Sequence, residues 1–411
     1  MLKYIPILFL FTASAGFAQS PDSLTAFALQ NNAELRRLQI EYRAAGQRPA
    51  QVRQLPDPQA GVGVFPLPVQ TRTGSQIVRI SLQQMFPWKG TLDSRVALEQ
   101  TKADLIAEQA AARTVELRYE VKKAWIQLYE MRKIRRTLRR QIELLRNREQ
   151  IILAGIETGK AGAADVVLLQ LRIETLQTEI ALLREKETEP LTDLNRLLNR
   201  NLQTPVGTPD TLLPSDIAFN ETAFLQDISE QHPALRIYLL QQEAAHDRLK
   251  INALSGKPAL GVGADYIAVN GYDGSELAAN GRDIVQLKAM VNVPLYRGKY
   301  AAKEREERFI IEALEVQKQD KTEQFKAAVI RAAARYRSAT LRLNLYRKQQ
   351  ELIAASRRLL LAEYTARGNR FGDLLDLEMQ LIEVEMHIIK AETELYLAQA
   401  ETERYTGFFK K

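Results

Sequence analysis

The chain contains the same series of short motifs twice, and this repetition limits the possible folds more than any other feature. Residues 32–36 (NAELR) are similar to residues 232–236 (HPALR), and the motif Pro-x-x-Gly-Val-Gly recurs 200 residues after its first occurrence. Further along, a strand-ending proline motif and a glycine followed by an aspartate also recur in the same order. Four ordered pairs indicate an internal duplication. The matched positions are Pro58 and Pro258, Pro87 and Pro294, Gly159 and Gly368, and Asp165 and Asp373.

The duplication predicts that each half contains a helix, two strands, a long helix, a tight turn and a second long helix. Pro205, Gly207, Pro209 and Pro214 indicate a linker between the halves. We expect a signal peptide at 1–18, a first repeat at 19–198, a linker at 199–220 and a second repeat at 221–411. We further expect β-hairpins at 57–87 and 258–294, and turns between the long helices, called the helix tips below, at 155–165 and 364–376.

The first residues have the features of a secretory signal peptide. Lys3 precedes an apolar run, and the small residues Gly16 and Ala18 stand three places and one place before a cleavage site after Ala18. The run is too short to cross a bilayer as a helix, and its lack of a polar face argues against a buried N-terminal helix. The mature chain is therefore expected to begin near Gln19 and to leave the cytoplasm.

Any further membrane insertion would have to use strands. No later segment contains the run of about 18 apolar residues that a membrane-spanning helix requires. The chain also has no cysteine. This excludes disulfides, thiolate metal sites, cysteine nucleophiles and a lipid anchor on a cysteine after the cleavage site.

Four segments alternate apolar residues with polar or small ones, as strands with two different faces do. A sheet with one face on a soluble core is the common explanation of this pattern. Here the rest of the chain offers no other element to cover that face, so the pattern favours strands that turn an apolar face to lipid and a polar face to a lumen. The apolar positions are Ala60, Val62, Val64, Val78, Ile80, Leu82, Leu260, Val262, Ala264, Val285, Leu287, Ala289 and Val291.

Four strands cannot close a barrel, and an open sheet edge in lipid would leave backbone groups without partners. Several copies of the chain are therefore expected to share one barrel. The hairpin loops are predicted around Pro66 to Gly74 and Gly271 to Arg282, facing outward. Three aromatic residues beside the strand-ending prolines suit the aromatic belt of a membrane interface; they are Phe86, Trp88 and Tyr296.

Long helices account for the remaining sequence. No proline occurs from Gly90 to Leu153, and a helix of that length would extend roughly 95 Å at ~1.5 Å per residue. Apolar residues recur in steps of three and four, which predicts coiled-coil pairing of the two helices in each half. The predicted contact positions are Leu117, Val121, Ala124, Leu128 and Met131; Val166, Leu169, Ile173, Leu176, Ile180 and Leu183; and Leu374, Leu377, Leu381, Val384, Ile388, Ala391, Leu395 and Ala398.

The charge and the polar motifs do not indicate nucleic-acid binding or catalysis. The net charge of +7 and the basic run at 132–140 fit nucleic-acid binding in isolation, but export opposes it and a solvated helix face is the favoured interpretation of the run. His232, His246 and His387 lack metal-ligand spacing. The glycine-rich segments 155–160 and 61–66 fail the phosphate-loop and dinucleotide patterns. We therefore predict no enzymatic activity, cofactor, metal or nucleic-acid partner.

The helix tips, the Pro-x-x-Gly-Val-Gly strands, the junction Gln83–Gly90 and the duplication together resemble the TolC-like outer-membrane factor family over nearly the whole mature chain. The resemblance implies a mainly α fold with a small β part, in which long antiparallel coiled-coil helices form an α-barrel. Each protomer of a homotrimer would add four strands to a transmembrane barrel of twelve. It also implies location in the outer membrane and its lipid, with extension into the periplasm, and docking to a periplasmic adaptor and an inner-membrane pump of the RND or ABC type.

The same resemblance implies roles for the helix tips. The tips would form the closed periplasmic entrance, where like charges around a threefold axis attract cations. The implied gate and charge-ring residues are Asp373, Asp376, Asp165, Arg370 and Tyr364, and the implied adaptor-docking residues are Gly155, Gly159, Lys160, Arg367 and Gly368.

The expected function is thus that of a passive trimeric conduit in a tripartite efflux or type I secretion system, gated at its periplasmic tips. An exported periplasmic coiled-coil scaffold is the alternative, because heptads alone would fit it. The scaffold leaves the four alternating strands without an explanation.

Overall fold

The computed structural model describes residues 19–157, 162–212, 222–225, 228, 232–274, 276–367 and 371–406. The predicted signal peptide at 1–18 and part of the predicted linker lie outside these residues. No helix among the described residues has the length and apolar character needed to cross a membrane.

The first half of the chain contains α1 (Pro21–Asn31), α2 (Ala33–Ala45), α3 (Arg48–Val52), β1 (Gln59–Thr71), β2 (Gly74–Phe86), α4 (Thr91–Glu157), α5 (Ala163–Lys186) and α6 (Thr188–Leu197). The second half contains α7 (Pro233–Ser255), β3 (Ala259–Asn270), β4 (Ile284–Asn292), α8 (Gly298–Arg367) and α9 (Phe371–Thr406). Both halves therefore have the same succession of a helical part, a hairpin and two long helices, and the predicted fold class is confirmed.

The chain forms two compact units, and each unit draws on both halves. One unit, called the strand unit below, comprises Arg37–Ala111 and Pro233–Lys321. The other, called the helix unit, comprises the segments up to Arg36, Ala112–His232 and Thr322 onward. The compact units therefore do not coincide with the two sequence repeats.

The strand unit contains one antiparallel sheet with the strand order β1-β2-β3-β4. Two consecutive hairpins account for this order, and β2 pairs with β3 across the two repeats. Gly74 has a φ of 133° in the tight turn between β1 and β2, a conformation that residues with a side chain rarely adopt. β1 and β4 each have a partner on one side only, so the sheet has two open edges.

The predicted loop between Pro66 and Gly74 is wrong for most of its length. β1 continues to Thr71, and only a tight turn separates it from β2. Pro66 and Pro68 fit within this strand because its pairing with β2 shifts between Val64 and Val69. A proline has no backbone N–H for the ladder and is tolerated at an edge strand or an irregularity. The second predicted loop agrees with the structure, since β3 ends at Asn270 and β4 begins at Ile284.

The helix unit is held together by apolar contacts that include most of the predicted heptad positions and further residues of the same helices. One core cluster combines residues of α4, α5, α8 and α9, among them Leu145, Leu169 and Leu374. A second cluster packs α1, α2 and α6 on α4 around Leu117, Leu128 and Trp125. In α9 the burial extends beyond the predicted stripe, because Leu375, Ile382 and Ile389 are buried as well. This helix therefore contacts neighbours on two sides.

The residues that follow the predicted cleavage site are anchored in the helix unit. The backbone N–H of Gln19 donates to Gly207 O (3.2 Å), and Trp125 Nε1 donates to Gln19 O (3.0 Å). The Ser20 side chain accepts from Ser23 N (3.1 Å) as the N-cap of α1, which satisfies one of the free donors at the helix start.

The basic run at 132–140 is not simply a solvated helix face, which corrects the sequence interpretation. Arg132 and Arg135 form ion pairs with Glu187 (Nε to carboxylate oxygens, 3.2 and 3.0 Å). Arg136 Nη2 donates to Pro209 O (2.7 Å), and Lys133 Nζ donates to the backbone carbonyl of Asp210. Backbone carbonyls of the linker are neutral acceptors that no sequence pattern identifies. Side chains of the basic run therefore hold the linker against α4 through hydrogen bonds to its backbone.

Candidate functional site

Two parts of the molecule carry the residues that the sequence singled out: the sheet of the strand unit and the helix tips of the helix unit. In the sheet, the register aligns apolar residues from all four strands on one face. Val62 pairs with Ile80, Ile80 with Tyr266, and Tyr266 with Val285. The next row places Leu82 and Leu287 on the same face.

This apolar face is open to the surroundings. Val62 is 73% exposed, Val285 70% and Leu287 83%. A soluble protein rarely exposes a continuous apolar patch of this extent, because the patch would gain free energy by leaving water. The face carries no charged side chain on any of the four strands. A lipid environment is the surrounding that fits it.

The opposite face is polar and carries charge. Asp265 lies at its centre on β3, and its side chain is 1% exposed. Lys288 Nζ on β4 is 2.5 Å from Asp265 Oδ1, and Arg79 Nε on β2 is 3.9 Å from Asp265 Oδ2. The remaining residues of this face are mainly glycines and amides, together with a few apolar side chains; they include Gly61, Gly63, Gln83, Gln286, Met85, Met290 and Ile267. The sheet thus has one face suited to contact with lipid and one face suited to contact with water.

The aromatic residues proposed for the interface belt lie at the strand ends with substantial exposure. Phe86 is the last residue of β2, and Trp88 follows it by two positions. Both are exposed, as is Tyr296 after β4. Exposure is what an aromatic belt requires, because these rings would contact lipid headgroups.

At the first helix tip, Asp165 stabilises the start of α5. Its Oδ2 accepts from the backbone N–H of Gly162 (3.1 Å), the N-cap residue of the helix, as the acidic residue of a capping box does. α4 continues to Glu157, so Gly155 lies within the last turns of that helix and not in the turn itself. The predicted tip therefore begins three residues too early, at 155 within α4, because a glycine close to a helix end resembles a turn residue in sequence.

At the second tip, Tyr364 belongs to the apolar cluster. Its side chain is 9% exposed, and its ring centroid is 5.7 Å from that of Phe371. Burial raises the pKa of the Tyr364 hydroxyl, and the carboxylate of Asp165 adds to the effect. The structure therefore places Asp165 of the first tip close enough to Tyr364 of the second tip for the two side chains to interact electrostatically.

The two aspartates of the second tip differ in their surroundings. Asp373 stands in the first turn of α9, where a carboxylate interacts favourably with the helix dipole. Asp376 is one turn further on, and its Oδ1 is 3.9 Å from Arg172 Nη2 of α5. The Asp376 side chain is 67% exposed. Both aspartates belong to the exposed side of α9, as a charged entrance requires.

Four of the predicted tip residues lie outside the described residues: Gly159, Lys160, Gly368 and Arg370. Arg367 is the last residue of α8.

Glu378 is a charged residue of this region that the sequence analysis missed. Its side chain is 3% exposed and lies between two arginines from other helices. Arg148 Nη1 of α4 is 2.5 Å from Glu378 Oε1, and Arg357 Nη1 of α8 is 3.5 Å from Glu378 Oε2. Glu378 therefore links the first repeat to the second. A glutamate between apolar heptad positions resembles a solvated residue in sequence, and only its position two residues after Asp376 could have drawn attention to it.

Among the described residues, no group of three or more His, Asp or Glu side chains is arranged to hold a metal ion. The sequence itself contains no cysteine.

Comparison with known proteins gives a clear result for structure and none for sequence. No model of a protein family matches the chain, and no curated protein matches it. The outer-membrane channel OprN is similar to it with a TM-score of 0.75 and 15% identity, over 94% of this chain and 89% of that one.

Two further solved structures are similar over most of their lengths. CusC, which was studied for folding and transmembrane channel formation, matches with a TM-score of 0.74 and 14% identity over 98% of this chain and 97% of its own. The open state of the MtrE outer-membrane channel of Neisseria gonorrhoeae matches with a TM-score of 0.72 and 15% identity over 94% and 88%. At such low identity the similarity establishes the fold. The chain has the TolC-like fold of these outer-membrane channels.

Proposed function

We propose that this chain is the outer-membrane channel of an efflux or type I secretion system and acts as a passive conduit. The observation that carries the proposal is the sheet with one apolar, exposed face, one polar face and two open edges. Such a sheet is stable in a membrane only when other strands pair with β1 and β4. The fold that the chain shares with outer-membrane channels supports the same function.

Further copies of the chain would complete the barrel. Three protomers with four strands each would supply the twelve strands that the family resemblance implies. The helices also have uncovered apolar residues that a second copy would bury, since burying apolar surface drives association. These residues are Ile330, Leu341, Leu345, Leu352 and Leu359 on α8, and Val167, Leu171 and Leu182 on α5.

The helix tips would serve as the periplasmic entrance and as the docking surface for an adaptor. Asp373, Asp376 and Asp165 would contribute the charge ring, with Arg370 and Tyr364 as further gate residues. Gly155, Gly159, Lys160, Arg367 and Gly368 would contact the adaptor, which in turn would engage an inner-membrane pump of the RND or ABC type. The similar MtrE channel has been observed in an open state, which supports a gate that can move.

Export would precede assembly. A signal peptide at 1–18 would direct the chain out of the cytoplasm, and the mature N-terminus near Gln19 would dock on Trp125 and Gly207. The anchored contacts of Gln19 support a folded mature chain that begins there.

The proposal can be tested by expressing the full-length chain and fractionating the cell envelope. We expect an outer-membrane species that migrates as an oligomer without heating and as a monomer after heating, and that forms ion-conducting pores in planar bilayers. A periplasmic coiled-coil scaffold would instead remain soluble, elongated and non-conducting without detergent, and that result would refute the channel.

A further inference from the structure

The polar face of the sheet contains a compact charge cluster, which we call the wall cluster: Arg79, Asp265 and Lys288. The structure describes every residue of the four strands, and these three side chains are the charged ones on the polar face. They come from β2, β3 and β4, so the sheet register brings them together across both repeats. Asp265 is paired with Lys288 at 2.5 Å and with Arg79 at 3.9 Å.

The charges of the wall cluster do not cancel. Two cations surround one carboxylate, which leaves one positive charge in excess per protomer. The carboxylate is covered, with 1% of the Asp265 side chain exposed, whereas the Arg79 and Lys288 side chains are 40% and 30% exposed. A solute that passes the polar face would therefore meet the two cations and not the carboxylate.

The neighbouring residues leave the cations accessible. Gly63 is the cross-strand partner of Arg79, and Gly263 is that of Lys288. A Cβ atom on Gly63 would have no neighbour within 4 Å. The Phe65 ring packs against the Arg79 guanidinium, with 5.5 Å from the guanidinium carbon to the ring centroid. Both cationic side chains nevertheless keep the exposure given above.

We propose that the wall cluster gives the barrel interior a preference for anionic solutes. This inference rests on the proposed function, because the polar face must line a pore shared by several copies. Each copy would place its excess positive charge at the same level, and a ring of Arg and Lys side chains favours anions in a pore. The electrostatic field of such a ring is strengthened in a narrow pore, because the protein wall around it has a low dielectric constant.

The inference makes opposite predictions for two substitutions in the same cluster. Arg79→Gln removes a cation, so we expect the anion-to-cation permeability ratio to fall. Asp265→Asn removes the carboxylate, so we expect this ratio to rise. Lys288→Gln gives a second way to remove a cation, and its effect should have the same sign as that of Arg79→Gln.

The ratio is measured from reversal potentials of purified channels in planar bilayers under a KCl gradient. Concentrations should stay below ~0.1 M, where the Debye length exceeds ~10 Å and fixed charges are little screened. The matched control is Arg308→Gln, which removes the same charge from an exposed α8 side chain paired with Glu304. This control should leave the ratio unchanged.

The outcomes separate this inference from the proposed function. If the wild-type protein and all variants conduct with one permeability ratio, the wall cluster does not select anions although the channel exists. If the two cation variants and Asp265→Asn shift the ratio in the same direction, the charge argument is wrong. If the wild-type oligomer inserts into bilayers and never conducts, the proposed function itself fails.

Discussion

Glu378 shows how one residue can connect the two repeats near the tips. It is almost fully buried, and its carboxylate lies within ion-pairing distance of Arg148 and Arg357. We expect Glu378→Ala to lower the free energy of unfolding by about 3 kcal/mol, because removing one member of a buried ion pair leaves its partners uncompensated. Chemical unfolding in detergent, followed by helical circular dichroism, measures the change.

An exposed ion pair of the same region provides the control. Asp376→Ala removes a carboxylate that is 67% exposed and 3.9 Å from Arg172, and surface pairs contribute about 0–1 kcal/mol. Equal losses for Glu378→Ala and Asp376→Ala would show that the buried cluster has no special role in stability.

Glu130 on α4 gives a prediction about pH. Burial raises the pKa of its carboxyl above the ordinary 4.5, and a hydrogen bond from Thr393 Oγ1 (2.7 Å) partly opposes this. Between 4.5 and the raised pKa the folded protein binds more protons than the unfolded chain, so this group's contribution to stability increases as the pH falls. Glu130→Gln removes that dependence and keeps an acceptor for Thr393.

We therefore expect Glu130→Gln to be more stable than the wild type at neutral pH, with an advantage that shrinks as the pH falls toward 4.5. Thermal unfolding over a series of pH values measures the difference. Glu323→Gln changes an exposed glutamate on α8 and should show no such trend. A constant difference between Glu130→Gln and the wild type across the series would contradict the assignment.

At the scale of elements, the sequence predicts most of what depends on local periodicity. The alternation of Val285 and Leu287 with polar neighbours identified β4, and the heptad residues Leu169 and Leu176 are buried as expected. Contacts between segments that are distant in the sequence are not predicted by local periodicity. Glu378 meets Arg148 only after α4 and α9 pack together, and no local pattern encodes that meeting. Pro66 similarly looked like a loop residue because the shifted pairing of β1 is a property of two strands.

The two faces of β4 allow a direct test of the sheet's environment. Leu287 lies on the apolar face and Gln286 on the polar face, and both are exposed. We expect Leu287→Arg to impair assembly in the outer membrane, since an arginine facing lipid at the middle of the bilayer costs about 2–4 kcal/mol. Gln286→Arg should assemble normally. The amount of heat-modifiable oligomer in the outer-membrane fraction measures both.

In a soluble sheet the result would differ. Leu287 is exposed in the protomer, so in water its replacement by arginine would cost little, and both variants would behave alike. Equal assembly of Leu287→Arg and Gln286→Arg would therefore contradict the lipid-facing assignment of the apolar face.

At the scale of the whole molecule, the two compact units each combine both halves of the sequence. β2 pairs with β3 in the strand unit, and Glu378 joins α9 to α4 in the helix unit. The duplicated halves are thus intertwined in both units. Neither repeat could keep its contacts if it were expressed alone, because each unit would lose strands or helices from its core.

Symmetric assembly would multiply the charges of the helix tips. Three copies of Asp373 and Asp376 around one axis would form a negative ring, which attracts cations and repels anions. We expect the double variant Asp373→Asn/Asp376→Asn to weaken cation block, or cation preference, in planar-bilayer recordings. Asp193→Asn, which changes an exposed aspartate of α6, should leave both properties unchanged.

The tip effect is opposite in sign to that of Arg79→Gln in the wall cluster, so combining the two changes should cancel part of each shift. Unchanged selectivity and unchanged block in the double variant would exclude the charge ring, because the proposed ring charges would then have been removed without any effect on permeation.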